Sequence, residues 1–432
     1  MAQFQNTAAF AAQMDEQDKL AHFRQRFYFP KHNDKDVIYL TGNSLGLQPK
    51  TARAYVEQEF ADWEEFGVEG HFKGKNPWFS YHHFLTENTA KLVGALPEEV
   101  VVMNNLTTNL HLMMVSFYRP QGSRYKIVME AGAFPSDMYA METQARFHGY
   151  NPDDAIIEIS PREGEYTLRT EDIIDTIEKN ADSIAIVMIG GVNYYTGQAF
   201  DMEAITRAVH KAGAMCGFDL AHAAGNLHLK LHDWDVDFAV WCSYKYLNSG
   251  PGGTSGVFVN ERHVKNPDLT RFAGWWGHDE KERFLMRKGF KPMLNAGAWQ
   301  LSNAQVFPMA IHRASLEIFA EAGMEKLRAK SDLLTGYLEY ILDNLTQSGK
   351  HTFTIITPRN PKDRGAQLSV LVKDNGRKLF DFLTDNGVVA DWREPNVIRM
   401  APVPLYNSFR DIYELGHVME RFSMNVSHEN SY

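Results

Sequence analysis

The middle of the chain alternates short apolar runs with stretches whose apolar residues recur at helical spacing. The apolar runs fall at residues 100–103, 127–129, 155–159, 184–189, 215–220, 238–241 and 256–259. Helical periodicity occupies residues 106–118, 135–147, 170–179 and 202–212 between several of them. Thr170, followed by Glu171 and Asp172, also reads as a helix start, with a capping side chain ahead of first-turn acids. This alternation predicts an α/β fold, a mostly parallel sheet flanked by helices on both faces.

The last third carries a different pattern. A helical stretch covers residues 304–345 and breaks near Gly323. Strand-like runs follow at 353–356, 368–372, 388–390 and 398–401, with helical patterns at 378–386 and 408–422. That mixture predicts a smaller α+β domain. The reading divides the chain into an N-terminal arm packing with the small domain (1–75), a large domain (76–305) and the C-terminal small domain (306–432). A length of 432 residues, 44% of them hydrophobic, supports more than one compact unit.

Composition narrows the partners. Lys and Arg number 44 against 54 Asp and Glu, a net charge of −10 with no basic run. Such a chain is a poor match to nucleic acid or an anionic membrane, so an anionic small molecule must be held by a local cationic site. Two cysteines, Cys216 and Cys242, make no disulfide framework or CxxC metal pair and fit a reducing compartment. The N-terminus lacks the basic start and apolar core of a signal peptide, and no apolar run approaches the ~20 residues of a membrane span. A cytoplasmic protein is the expectation.

Ligands of open α/β sheets bind where strands end, so polar residues just past the apolar runs are the candidates. Asp219 ends one run; it can hold a protonated ring nitrogen, although a helix N-cap is the commoner role for Asp there. Lys245 follows another run beside Tyr244. A lysine between aromatics at a strand end suits Schiff-base formation, and a snorkelling surface lysine is the competing reading. The succeeding Gly250-Pro-Gly-Gly253 allows close approach of another group. Leu106 and Thr107 open a helix whose free amides and dipole suit a phosphate; ordinary capping by Asn or Thr competes. Phe134 can lie over a planar ring with Ser136 or Asp137 positioning it, or can be a core residue before a helix with Pro in its first turn. Phosphate cradle, ring stacker, acid and lysine occur in that order, each at a predicted strand end. Those are the parts that pyridoxal 5'-phosphate (PLP) demands.

The stretch from Phe218 to Gly253 resembles the PLP-lysine region of the kynureninase family. So do TGNSLGLQP near Thr41, MNNLTTNLHL near Leu106, AFPSDMYA near Phe134, GWWGHD near Trp275 and RMAPVPLYNSF near Arg399. The resemblance spans nearly the whole chain. It implies the aspartate-aminotransferase fold, a homodimer with active sites at the interface, and hydrolytic Cβ–Cγ cleavage of kynurenine or 3-hydroxykynurenine. The expected setting is tryptophan catabolism or NAD-precursor synthesis. It implies Lys245 as the Schiff-base lysine, Leu106 and Thr107 at the phosphate, and Phe134 and Asp137 flanking the ring. Asp219 is implied at the ring nitrogen, with His222 and Tyr244 also touching the cofactor. Tyr244 is further implied as a proton donor at the cleavage step. Trp275 and Asn303 match positions that reach the cofactor phosphate or substrate region from a partner subunit. Arg399 matches the clamp on the substrate α-carboxylate, a task suited to a planar fork. Asn43 and Ser44 match a Gly-rich turn lining the site from the N-terminal arm. His71, Ser302 and Asn303 match the substrate-ring end, where polar groups favour a 3-hydroxyl. One departure is Gly190, where relatives carry a small hydroxyl residue, which puts one cofactor contact in doubt.

Other readings stay in view. Gly42-Asn-Ser44-Leu-Gly46 matches the G-x-S-x-G elbow of serine hydrolases, but the helix that should follow is delayed by Gln48-Pro49. A cysteine desulfurase needs a mobile nucleophilic Cys, whereas Cys216 and Cys242 fall in predicted buried strands. An aminotransferase shares the layout and differs in its product. A non-enzymatic PLP-fold protein ranks last. No dinucleotide fingerprint is present, and His228 and His232 lack a third metal ligand and read as surface residues.

Overall fold

The computed structural model describes residues 4–429, and the chain divides into two compact units. One comprises residues 51–194 and 200–320; the other comprises 1–50, 195–199 and 321–432. The cuts thus fall at 50/51 and 320/321 rather than at 75/76 and 305/306. The reason lies in the helix Ala52–Phe66. Its buried Glu59 accepts hydrogen bonds from Asn76 Nδ2, Trp78 Nε1 and Tyr81 OH at 2.8–2.9 Å. Phe60 on the same helix packs on Phe307, with ring centroids 4.7 Å apart. Segment 51–75 therefore belongs to the large unit.

The large unit is built on seven strands: β1 (Val100–Val102), β2 (Lys126–Glu130), β3 (Ile156–Ile159), β4 (Ile184–Gly190), β5 (Met215–Asp219), β6 (Phe238–Trp241) and β7 (Gly256–Val259). Their order across the sheet is β1-β7-β6-β5-β4-β2-β3. All pairings are parallel except those of β7, which runs against both β6 and β1. Every strand coincides with an apolar run read from the sequence. Continuous burial explains why those runs lack alternation: β6 and β7 are buried at every residue.

Helices α1 (Leu106–Phe117), α2 (Pro135–Phe147), α3 (Thr170–Lys179) and α4 (Met202–Lys211) occupy the expected stretches. One cap differs. The residue before α3 is Arg169, which makes no side-chain cap bond, so Thr170 is the first helical residue and not the cap. Register aligns the carboxyl ends of the parallel strands. Asp219 lies opposite Gly190 on one side and Val240 on the other, while Val102 and Trp241 both face Gly256.

The small unit carries a four-stranded antiparallel sheet, Phe353–Ile355, Leu368–Val372, Val397–Met400 and Asp391–Arg393, in that spatial order. The N-terminal segment joins it by backbone pairing: Ile38–Tyr39 runs parallel to Val388–Val389, and Thr41 bridges Ala401. Gly323, at φ 79°, separates the helices Val306–Ala322 and Met324–Gln347, as the break in periodicity predicted.

The sheet is tightest at Gly217. A methyl group there would lie 2.1 Å from the ring of Phe238 on the neighbouring strand. Gly217→Ala should cost about 1–3 kcal/mol, read as a lower urea midpoint at unchanged m-value; an unchanged midpoint contradicts this packing.

Candidate active site

Five loops at the carboxyl edge of the large sheet converge on one cavity lined by Leu106, Thr107, Glu130, Phe134, Ser136, Asp137, Asp219, His222, Tyr244 and Lys245, among others. Of the eleven expected cofactor contacts, nine meet here, all but Trp275 and Asn303, together with Glu130.

The lysine loop is held rigidly. After β6, the buried Ser243 Oγ lies 2.6 Å from Ser249 Oγ and donates to Thr254 O at 2.6 Å. A methyl at Gly253 would strike Ser249 Oγ, so the glycines serve closure of this loop on itself. Lys245 Nζ then reaches the cavity, 3.0 Å from His222 Nε2 and 5.8 Å from the centroid of the Phe134 ring.

Asp219 combines both roles considered for it. Its Oδ1 accepts the Ala221 amide at 2.6 Å, bracing the turn that presents His222, and the carboxyl lines the cavity. Burial, reinforced by Asp219, pushes the Asp137 carboxyl well above the usual carboxylate range. Burial also raises Asp219, but the Ala221 amide, Lys245 and a hydrogen bond from Asp137 pull it back. The proton of this pair therefore rests more on Asp137, leaving Asp219 the more acidic member beside Lys245. An anion in that place suits a protonated ring nitrogen.

Phe134 precedes α2, whose first residue is Pro135, and stays partly exposed. Its ring meets Tyr194 edge-on at 5.3 Å, which leaves a face for a planar ligand. At α1 the capping reading and the phosphate reading hold together. Asn105 caps the Thr108 amide at 3.1 Å, while among the described residues no partner takes the Leu106 and Thr107 amides. Burial raises the Tyr244 phenol, keeping it a neutral donor. Anion-binding amides, a ring face, an acid and an amine fit a phosphorylated aromatic aldehyde.

Four expected residues lie elsewhere. His71, Trp275, Ser302 and Asn303 line a second, largely apolar cavity of the large unit with Phe72, Phe79, Trp276 and Phe284. Ser302 Oγ donates to Asn303 Oδ1 at 3.0 Å, and Trp275 Nε1 donates to Arg283 O at 3.1 Å. Three more belong to the small unit. Arg399 is buried, with Nε and Nη2 on the two oxygens of Asp391 at 3.2 and 2.8 Å. Asn43 is buried and donates to Gln367 Oε1 at 2.8 Å. Ser44 sits in a turn, with its amide on Thr41 O at 2.8 Å. No helix follows that turn until Ala52, and Gly42 is small because Tyr406 and Val403 press against it. The serine-hydrolase elbow is absent there. His232 is not a bare surface group either; it pairs with buried Glu99 at 2.9 Å.

Glu130 was missed. It closes β2 and lines the cavity, just past the apolar run at 127–129. The signal available was an acid directly after Ile127, Val128 and Met129 at a predicted strand end.

Solved structures share this architecture. A mutant C-DES with glycine covalently linked to its PLP cofactor superposes with a TM-score of 0.74 at 15% identity, covering 89% of this chain and 96% of that one. The fold is that of the aspartate-aminotransferase-like PLP enzymes. The model of the kynureninase C-terminal domain matches residues 327–419. Kynureninase of Flavobacterium johnsoniae is 58% identical over 97% of this chain and 98% of its own length. That of Flavobacterium psychrophilum is 56% identical, again over 97% and 98%. The chain belongs to the kynureninase family.

Both thiols are buried, and burial pushes Cys216 and Cys242 above their ordinary range. In the native protein both should resist a thiol reagent and react fully only on unfolding; rapid native labelling of either would reopen cysteine chemistry.

Proposed function

We propose that the chain is a PLP-dependent kynureninase, hydrolysing the Cβ–Cγ bond of L-kynurenine or 3-hydroxy-L-kynurenine to anthranilate or 3-hydroxyanthranilate and L-alanine. The observation that carries this reading is Lys245 Nζ within reach of His222, beneath the Phe134 ring and facing the Asp137–Asp219 pair. The family relationship supplies the reaction.

Bound in this cavity, PLP supplies an aldehyde carbon for amine exchange and a ring that withdraws electrons from the substrate α-carbon. The amides of Leu106 and Thr107, at the positive end of α1, hold its phosphate. Phe134 and Ser136 would hold the cofactor ring, and Asp219 would favour a protonated ring nitrogen. His222, 3.0 Å from Lys245 Nζ, would orient that amine, which would hold the aldehyde cofactor and serve as the base at the substrate α-carbon. Water would supply the hydroxyl that makes the γ-carbonyl carbon a carboxyl group as the Cβ–Cγ bond breaks, and the Tyr244 phenol would supply the proton that Cβ takes up to become the methyl of alanine. The family resemblance assigns Arg399, paired with Asp391, to the α-carboxylate, and Asn43 and Ser44 to the substrate. An aminotransferase would move the proton differently and yield kynurenate.

The chain works as a homodimer with Trp275 and Asn303 serving the partner's site. Supporting this, Phe272, Trp275, Phe284, Leu285, Met286 and Leu294 all stand exposed within the segment 272–294, Met286 at 70%. The second cavity takes the aryl end, and His71, Ser302 and Asn303 favour the 3-hydroxylated ring. Among the described residues no helix is long and apolar enough to cross a membrane, and the proposed location is the cytoplasm.

Purified protein with PLP should turn kynurenine over to fluorescent anthranilate, and Lys245→Ala should abolish both turnover and the absorbance near about 420 nm. Persistence of that band in the variant rejects the lysine assignment. The value of kcat/KM should be higher for 3-hydroxykynurenine than for kynurenine; a clear preference for the plain ring reverses the specificity. Light scattering should give twice the chain mass, with Met286→Glu shifting it toward the monomer.

A further inference from the structure

The cavity around Lys245 is lined by three carboxyls, Glu130, Asp137 and Asp219, against one lysine. Three buried anions cannot be sustained by a single cation. Asp137 and Asp219 share one proton, as described above. Glu130 is set differently. Its carboxyl is fully enclosed at the end of β2 and takes hydrogen bonds from the Gly190 amide and the Asn193 side chain. Its Oε2 is buried and has no hydrogen-bond partner. A carboxylate oxygen in that position would be a buried, unsatisfied anion; a carboxylic acid OH would be a donor offered to whatever fills the cavity.

Gly190 belongs to the same arrangement. A Cβ at that position would come within 3.0 Å of Glu130 Oε1. The departure at Gly190 thus makes room for the Glu130 carboxyl, which occupies the volume a side chain at residue 190 would need. The groups facing Glu130 are Gly190 and Asn193 from β4 and the segment after it, Asp219 from β5 and Asp137 from α2. Ile159 lies opposite it on β3 and is apolar.

We propose that Glu130 is a positioning residue for the cofactor: a neutral carboxylic acid, seated against Gly190, whose Oε2–H donates a hydrogen bond to an oxygen acceptor of the bound PLP. The inference rests on the functional reading given above and adds to it a contact in place of the one that Gly190 puts in doubt. The titration behaviour agrees. Burial, with the nearby Asp219 adding to it, pushes Glu130 up to about 7 from its ordinary 4.5. Rising pH therefore removes the proton, and with it the donor.

The test measures PLP affinity by absorbance titration of the apo-protein from about pH 6 to pH 9, across this ionisation, for wild type, Glu130→Gln and Glu130→Ala. The glutamine variant keeps a donor at every pH. The ratio of its Kd to that of wild type should be near one at the acid end and fall about tenfold by the alkaline end, a loss of ~1.4 kcal/mol in wild type alone. Taking the ratio cancels the pH dependence of the lysine linkage itself. Glu130→Ala should bind about tenfold more weakly than wild type at the acid end, with circular dichroism confirming the fold. Gly190→Ala should weaken binding in wild type but add nothing in the Glu130→Ala background. A pH-independent ratio, a Glu130→Ala variant that binds normally, or additive losses with Gly190→Ala overturns the proposal. Failure of wild type itself to bind PLP overturns the functional reading instead.

Discussion

The in-register alignment of β4, β5 and β6 at their carboxyl ends is the constraint on which the site depends. Asp219 is the last residue of β5 and is paired across to Gly190 and Val240. A two-residue slip would move its carboxyl out of the cavity, and a one-residue slip would turn it to the opposite face. The register is enforced by bulk. Gly217 accommodates the Phe238 ring and Gly256 the Trp241 ring, so in this register each glycine leaves space for one aromatic. From that edge the loops need only a few residues to bring Lys245, His222 and Phe134 together.

Electrostatics follow from the same geometry. In an acidic chain, the cavity offers an anion the amides at the start of α1, unpartnered among the described residues, and a single lysine. The carboxyls behind that lysine are kept from accumulating charge by burial, which raises Glu130, Asp137 and Asp219, the last held back by the Ala221 amide, Lys245 and Asp137.

Much of this was legible in the chain. The seven strands were visible because burial on both faces leaves uninterrupted apolar runs, and the strand-end rule then pointed to Asp219, Lys245, Phe134 and Leu106. Glu130 was hidden because an acid after Ile-Val-Met reads as the run's boundary, and its burial follows only from the sheet's third dimension. The division at 50/51 was hidden for a related reason: Glu59 looks like an exposed helical acid until Asn76, Trp78 and Tyr81 fold back onto it. Asp391–Arg393 is a strand with no apolar alternation, so the partner that orients Arg399 carried no periodic signal. His71, Trp275, Ser302 and Asn303 were associated by resemblance alone, and their clustering around a second cavity reflects loops too irregular for pattern reading.

Borohydride reduction of the PLP-loaded protein, followed by peptide mapping, tests the central claim most directly. The account predicts a pyridoxyl group fixed to Lys245 alone. Attachment to another side chain, or to none, contradicts it.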